Sequence, residues 1–171
     1  MLTNHVPICW FATDVEDLDA EVLQIKKGES SGQSALEAMA LLIGLRAWPE
    51  VWKDERTFVL TRSDALAALG ALLKLSSPAA PVNKVMQEVA LDIADGNVDI
   101  EVVSHIPGGL NTWADCLSRL NAPEPERKTI PVPLMTVPRT AVGPRGRGWW
   151  RTLREMPGDE SERSPSTSSA G

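Results

Sequence analysis

Two strand-like runs, TFVLTR at 57–62 and VDIEVVS at 98–104, are separated by two helical segments at 65–75 and 82–95. This spacing constrains the chain more than any other feature. A strand followed by a long helical crossover and a second strand returns that strand parallel to the first. The pattern predicts an α/β sheet with at least one parallel pair, flanked by helices. Upstream, ALEAMALLIGLRAW (35–48) is apolar nearly all round and predicts a buried helix. Ser34 suits its N-cap, Glu37 the matching capping-box position, and Pro49 its stop. Pro81 and Gly96 bracket the 82–95 helix. VPICWFAT (6–13) reads as a strand, with Asn4-His5 as a hairpin turn before it. A short helix is expected over 15–24, and another over 112–120 after a Pro-Gly-Gly loop.

The chain has 171 residues, 43% hydrophobic and 23% charged, which suits one globular domain with an extension. Cys9 and Cys116 alone make neither a disulfide scaffold nor a metal cluster, so a reducing compartment is expected. No apolar run reaches the about 18 residues of a membrane span, and MLTNHVPICWFATD lacks the basic and apolar regions of a secretory signal. The expectation is an intracellular protein of the cytoplasm or nucleus. Residues 1–121 hold 9 Lys and Arg against 17 Asp and Glu, a net of −8, whereas 122–171 hold 8 against 6, a net of +2. The acidic part disfavours tight unaided nucleic-acid binding, which rests on phosphate contacts.

Proline recurs from residue 123 onward and the chain ends in SERSPSTSSAG, which predicts a mostly disordered tail over 122–171. Within it, PRGRGWWRTLREM (144–156) interleaves Arg and Trp. Such a piece suits stacking on RNA or a partner, or is a non-functional extension.

Three acids stand at helix starts: Glu37, Asp64 directly after a strand, and Asp115 four residues after Asn111. Each has a plain reading as a helix-end residue, because the helix dipole favours acids there, and Asn111 is itself a natural N-cap. Together they point elsewhere. Sites in α/β sheets gather at the carboxyl ends of strands, where Asp64 lies. Converging carboxylates need a cation between them, and oxygen ligands suit Mg²⁺ or Mn²⁺. A pair of such ions suits phosphodiester hydrolysis.

The segment EVVSHIPGGLNTWADCLSRL (101–120), with VLTRSDALAALGALLKLSS (59–77) and ALEAMALLIGLRAW, resembles the ribonuclease H-like domain that follows reverse transcriptase in gypsy-type and related retrotransposon polyproteins. The similarity runs in order over about residues 4–121. It implies a ribonuclease H-like mixed sheet and metal-dependent cleavage of the RNA strand of RNA/DNA hybrids. It implies that Glu37, Asp64 and Asp115 hold two Mg²⁺ or Mn²⁺ ions, that His105 assists catalysis from a mobile loop, and that Asn111 contacts the hybrid. A fused or associated reverse transcriptase domain is the implied partner.

One departure matters. The family's fourth carboxylate, an Asp on the first strand, has no counterpart, since only Met1 to Thr3 could belong to that strand. The first strand is central in the family, so the expectation is an N-terminally truncated domain over 1–121 with impaired catalysis and a divided sheet. A surrogate strand from TIPVPLMTVP (129–138) is disfavoured by its prolines. The alternative function is a catalytically inactive nucleic-acid-binding or protein-interaction α/β module.

Overall fold

The computed structural model describes residues 1–3 and 6–153. The expected turn at Asn4-His5 and the stretch 154–171 lie outside them. In chain order the elements are β1 (Leu2–Thr3), β2 (Val6–Pro7), α1 (Asp17–Leu23), α2 (Gln33–Ala47), β3 (Thr57–Ser63), α3 (Leu66–Lys74), α4 (Ala80–Asp95), β4 (Val98–His105), α5 (Thr112–Ser118) and α6 (Val132–Met135). The chain is α/β, with β3 and β4 parallel and β1 and β2 antiparallel. The two ladders are separate two-stranded units among the described residues. The strand expected over 6–13 shrinks to Val6–Pro7 plus a single parallel bridge between Trp10 and Arg139.

Helices build the core. Ala38, Met39, Leu42 and Ile43 of α2 pack with Ala68 and Leu72 of α3 and with Val85, Met86 and Val89 of α4. An all-round apolar α2 thus finds neighbours on several sides, as its composition requires. Side chains alternate along β3: Val59 packs toward the core and Thr61 is buried, while Phe58 and Leu60 remain 55% and 61% exposed.

Helix ends depart from the expected capping. Ser34 lies inside α2, which starts from Gly32 after a 3-10 turn at Ser30–Gly32, and the Gly32 cap has no side-chain hydrogen bond. Glu37 instead accepts a hydrogen bond from Gln33 Nε2 at 3.1 Å. The α3 cap is Ala65, whose N–H is taken by the Ser63 hydroxyl at 3.1 Å, so Asp64 is freed from capping. Gly96 ends α4 in extended backbone, and a Cβ there would sit 2.7 Å from the Asp92 carbonyl oxygen.

Of the stretch 122–171, expected to be mostly disordered, the structure describes 122–153. Residues 122–153 are mostly irregular, as their prolines dictate, yet they are packed against the rest of the chain. The Trp10 indole donates to the Leu134 carbonyl at 3.0 Å, and backbone bonds join Trp10 with Pro138 and Thr140. Hence the surrogate-strand idea survives only as that one bridge, at the end of the proline segment and against Trp10. Further on, Arg145 and Trp150 are fully buried. Arg145 Nε donates to Asp19 Oδ2 at 2.8 Å, Nη1 to the Thr13 hydroxyl at 3.1 Å, and its backbone N–H to Glu16 Oε2 at 3.0 Å. Trp150 joins the core cluster. The fully buried Glu88 accepts the backbone N–H groups of Arg151 at 2.9 Å and Thr152 at 2.7 Å, and Arg46 Nη2 at 2.7 Å. Proline content reports lost backbone donors, not lost side-chain anchors, and the anchors hold this part in place. Of the Arg/Trp piece read as a possible RNA contact, Arg145 and Arg151 are engaged by the chain's own acids and Trp149 and Trp150 by its core, while Arg147 is exposed.

Candidate functional site at the carboxyl ends of the parallel strands

The last rung of the parallel ladder pairs Ser63 with His105, and Ile106 N–H donates to the Ser63 carbonyl at 2.9 Å. Asp64 and the loop 106–111 therefore leave the sheet side by side. A 3-10 turn at Gly108–Leu110 curls the loop back. Asn111 Nδ2 then donates to Asp64 Oδ1 at 2.8 Å, joining residues 47 apart in sequence. The other carboxylate oxygen faces Gly108: a Cβ there would lie 3.3 Å from Asp64 Oδ2. Glycine is thus suited to this loop position by close approach to the acid. Asn111 stands at the N-cap of α5, but its side chain makes no capping bond.

His105 is exposed at the end of β4. Asp115, on α5, is half-buried and points into cations: Oδ1 accepts from Arg119 Nε at 2.8 Å and Oδ2 from Lys128 Nζ at 2.8 Å. Those hydrogen bonds, Lys128 first, hold its carboxyl below the usual aspartate range. Glu37 is engaged by Gln33 on its own helix. The structure thus brings together Asp64 and Asn111, with His105 on the adjoining rung, and supplies Asp115 and Glu37 with other partners. Sequence reasoning missed Lys128, which it had placed in the loose tail.

Among the described residues, no three His, Cys, Asp or Glu side chains are placed to share a metal. Both Asp115 oxygens are already paired with cations, and Asp64 already accepts an amide. As arranged, these residues do not form a two-ion ligand set. A cleft of about 450 Å³ lies between Ala12–Asp14 and Arg139–Val142, and none of the expected site residues lines it.

No helix among the described residues is long and apolar enough to cross a membrane. The chain matches no protein-family model, no curated protein and no solved structure.

Proposed function

We propose that this chain is a ribonuclease H-like domain of a retrotransposon reverse transcriptase, derived from an enzyme that cleaves the RNA strand of RNA/DNA hybrids and impaired in that cleavage. The Asp64–Asn111 hydrogen bond carries the reading. It joins, at the carboxyl ends of two parallel strands, the two motifs whose sequences resemble that family, and this is where α/β sheets hold their sites. Impairment rests on the chain's own groups. Asp115 is paired with Arg119 and Lys128, and among the described residues no three His, Cys, Asp or Glu side chains are placed together to hold a metal.

What remains suits binding more than hydrolysis. The exposed imidazole of His105 directly precedes the loop 106–111, and Asn111, whose Nδ2 is held by Asp64, ends it; hybrid recognition proceeds through shape and 2′-hydroxyls, not base sequence. In an active relative, Mg²⁺ or Mn²⁺ would activate water and stabilise the leaving oxygen.

A labelled RNA/DNA hybrid tests this in two readouts. The full chain is expected to bind the hybrid more tightly than duplex DNA of the same sequence, with cleavage in Mg²⁺ or Mn²⁺ at or near background. Equal or absent binding to both duplexes refutes the reading and favours a protein-interaction module. Efficient cleavage abolished by Asp64→Asn refutes the impairment.

A further inference from the structure

Residues 138–153 contact the rest of the chain as a bound peptide would. Their backbone pairs in β fashion at one place, Trp10 with Arg139. Beyond it, recognition is by side chains: Arg145 in an acidic pit, Trp150 in an apolar hole, and Glu88 receiving successive N–H groups. The connection over 122–137 holds the short α6 and is anchored at Lys128, which pairs with Asp115, and at the buried Leu134, whose carbonyl accepts the Trp10 indole, so exchange must release these contacts.

We propose that the cleft formed by α1, α2 and α4 is a recognition site for a segment of the form Arg-x4-Trp-Arg, and that a second copy of this chain supplies it at high concentration by reciprocal exchange of residues 138–153. The cleft is built for such an occupant. Asp19 and Glu88 are both fully buried, so each needs a charged or N–H partner on the spot. Asp19 commits Oδ2 to Arg145, while its Oδ1 has no hydrogen-bond partner. With the segment gone, Glu88 keeps Arg46 and Asp19 keeps the Glu16 N–H, but Asp19 loses its buried cation, Glu88 loses two N–H donors and the Trp150 hole empties, so the cleft favours refilling from whichever copy is at hand.

Occupation by the chain's own segment or by a neighbour's makes the same contacts. Concentration and the connection decide between them. A connection of this length reaches roughly 50 Å when extended, against a radius of gyration of about 14 Å for a domain of this size. The neighbouring cleft is within reach.

The test uses the full chain carrying Arg145→Ala and Trp150→Ala, with a fluorescent peptide of residues 138–153 standing in for the second copy's segment. Saturable binding, a raised melting temperature and at least tenfold weaker binding of an Arg145→Ala peptide are expected. If the double variant is unfolded alone, peptide-dependent recovery of helical circular dichroism is the equivalent result. No binding and no recovery at concentrations up to about millimolar, the usual effective concentration of a tethered segment, overturns the recognition site. Equal binding of the two peptides overturns its arginine specificity. For the unaltered chain, sedimentation after refolding at high concentration should show a dimer that added peptide disperses. Monomer at every concentration overturns the exchange.

Discussion

Truncating Trp150 to alanine should destabilise the whole chain, though the residue lies beyond the segment that carries the recognisable motifs. Its indole is fully buried and sits in one cluster with α2 and α4 residues. Burying an aromatic of 150–250 Å² at about 25 cal/mol per Å² contributes about 4–6 kcal/mol. Measured Trp-to-Ala changes in cores fall at about 3–5 kcal/mol because neighbours partly collapse. Against a typical total of about 5–15 kcal/mol, this is a large fraction. It corresponds to a drop on the order of 10 °C in melting temperature for a chain of this length. The assay is urea and thermal unfolding followed by far-ultraviolet circular dichroism, with Trp149→Ala as the internal comparison. Trp149 is only partly buried, beneath the Arg46 guanidinium at 4.4 Å, and should cost less. Limited proteolysis should then leave a resistant core reaching past residue 150 in the unaltered chain. A Trp150→Ala chain as stable as its parent, or a resistant core ending near 121, would refute the packing of this segment.

The same segment should loosen in acid. Burial pushes the Glu88 carboxyl up, but hydrogen bonds from Thr152, Arg46 and Arg151 outweigh it and hold the group below its ordinary value. The folded chain therefore binds fewer protons than the unfolded one across that interval. The contribution is complete above the ordinary glutamate range and falls away as pH drops through the lowered folded value; unfolding at stepped pH should show this slope reduced in Glu88→Gln. Lys128→Ala should raise the Asp115 pKa toward ordinary, read by carboxyl-carbon NMR titration, and an unchanged value would remove Lys128 as its partner. Gly96→Ala must displace the end of α4, since its new Cβ meets a backbone oxygen at 2.7 Å, and should cost about 1–3 kcal/mol in urea unfolding.

Elements with a strong period were legible. The helices over 65–75 and 82–95 and the strands over 57–62 and 98–104 emerge within a few residues of their expected bounds because apolar spacing and proline or glycine stops act locally, and the all-round apolar helix over 35–48 emerges by its length and its Pro49 stop. Partnerships were less legible. Composition marks Arg145 and Arg151 as tail cations, and nothing local says that Asp19 and Glu88 wait for them more than 60 residues upstream. The one available sign was an acidic main part set against a basic tail, which charge counts show but which does not identify the pairs. Asn111 and Asp64 were each read as helix caps when taken singly, and each proves to have given up capping for the other.

That contact depends on a detail of register that a strand pattern conceals. From Thr57 to Val59 the β3 residues face Val98 to Ile100, but Leu60 faces Val102, so β4 carries one extra residue, Glu101, as a bulge. VDIEVVS looks like plain alternation, and regular pairing would have set Ser63 against Ser104. With the bulge, Ser63 meets His105 instead, and everything after β4 is drawn back by one residue relative to Asp64. Bulges are known to re-aim side chains beside sites. Here the displaced rung sets where the Pro-Gly-Gly loop begins, and so whether Asn111 reaches the carboxylate. The motif's spacing from His105 to Asn111 is fixed by the sequence. Its placement against Asp64 is fixed by Glu101, the residue that has no rung of its own.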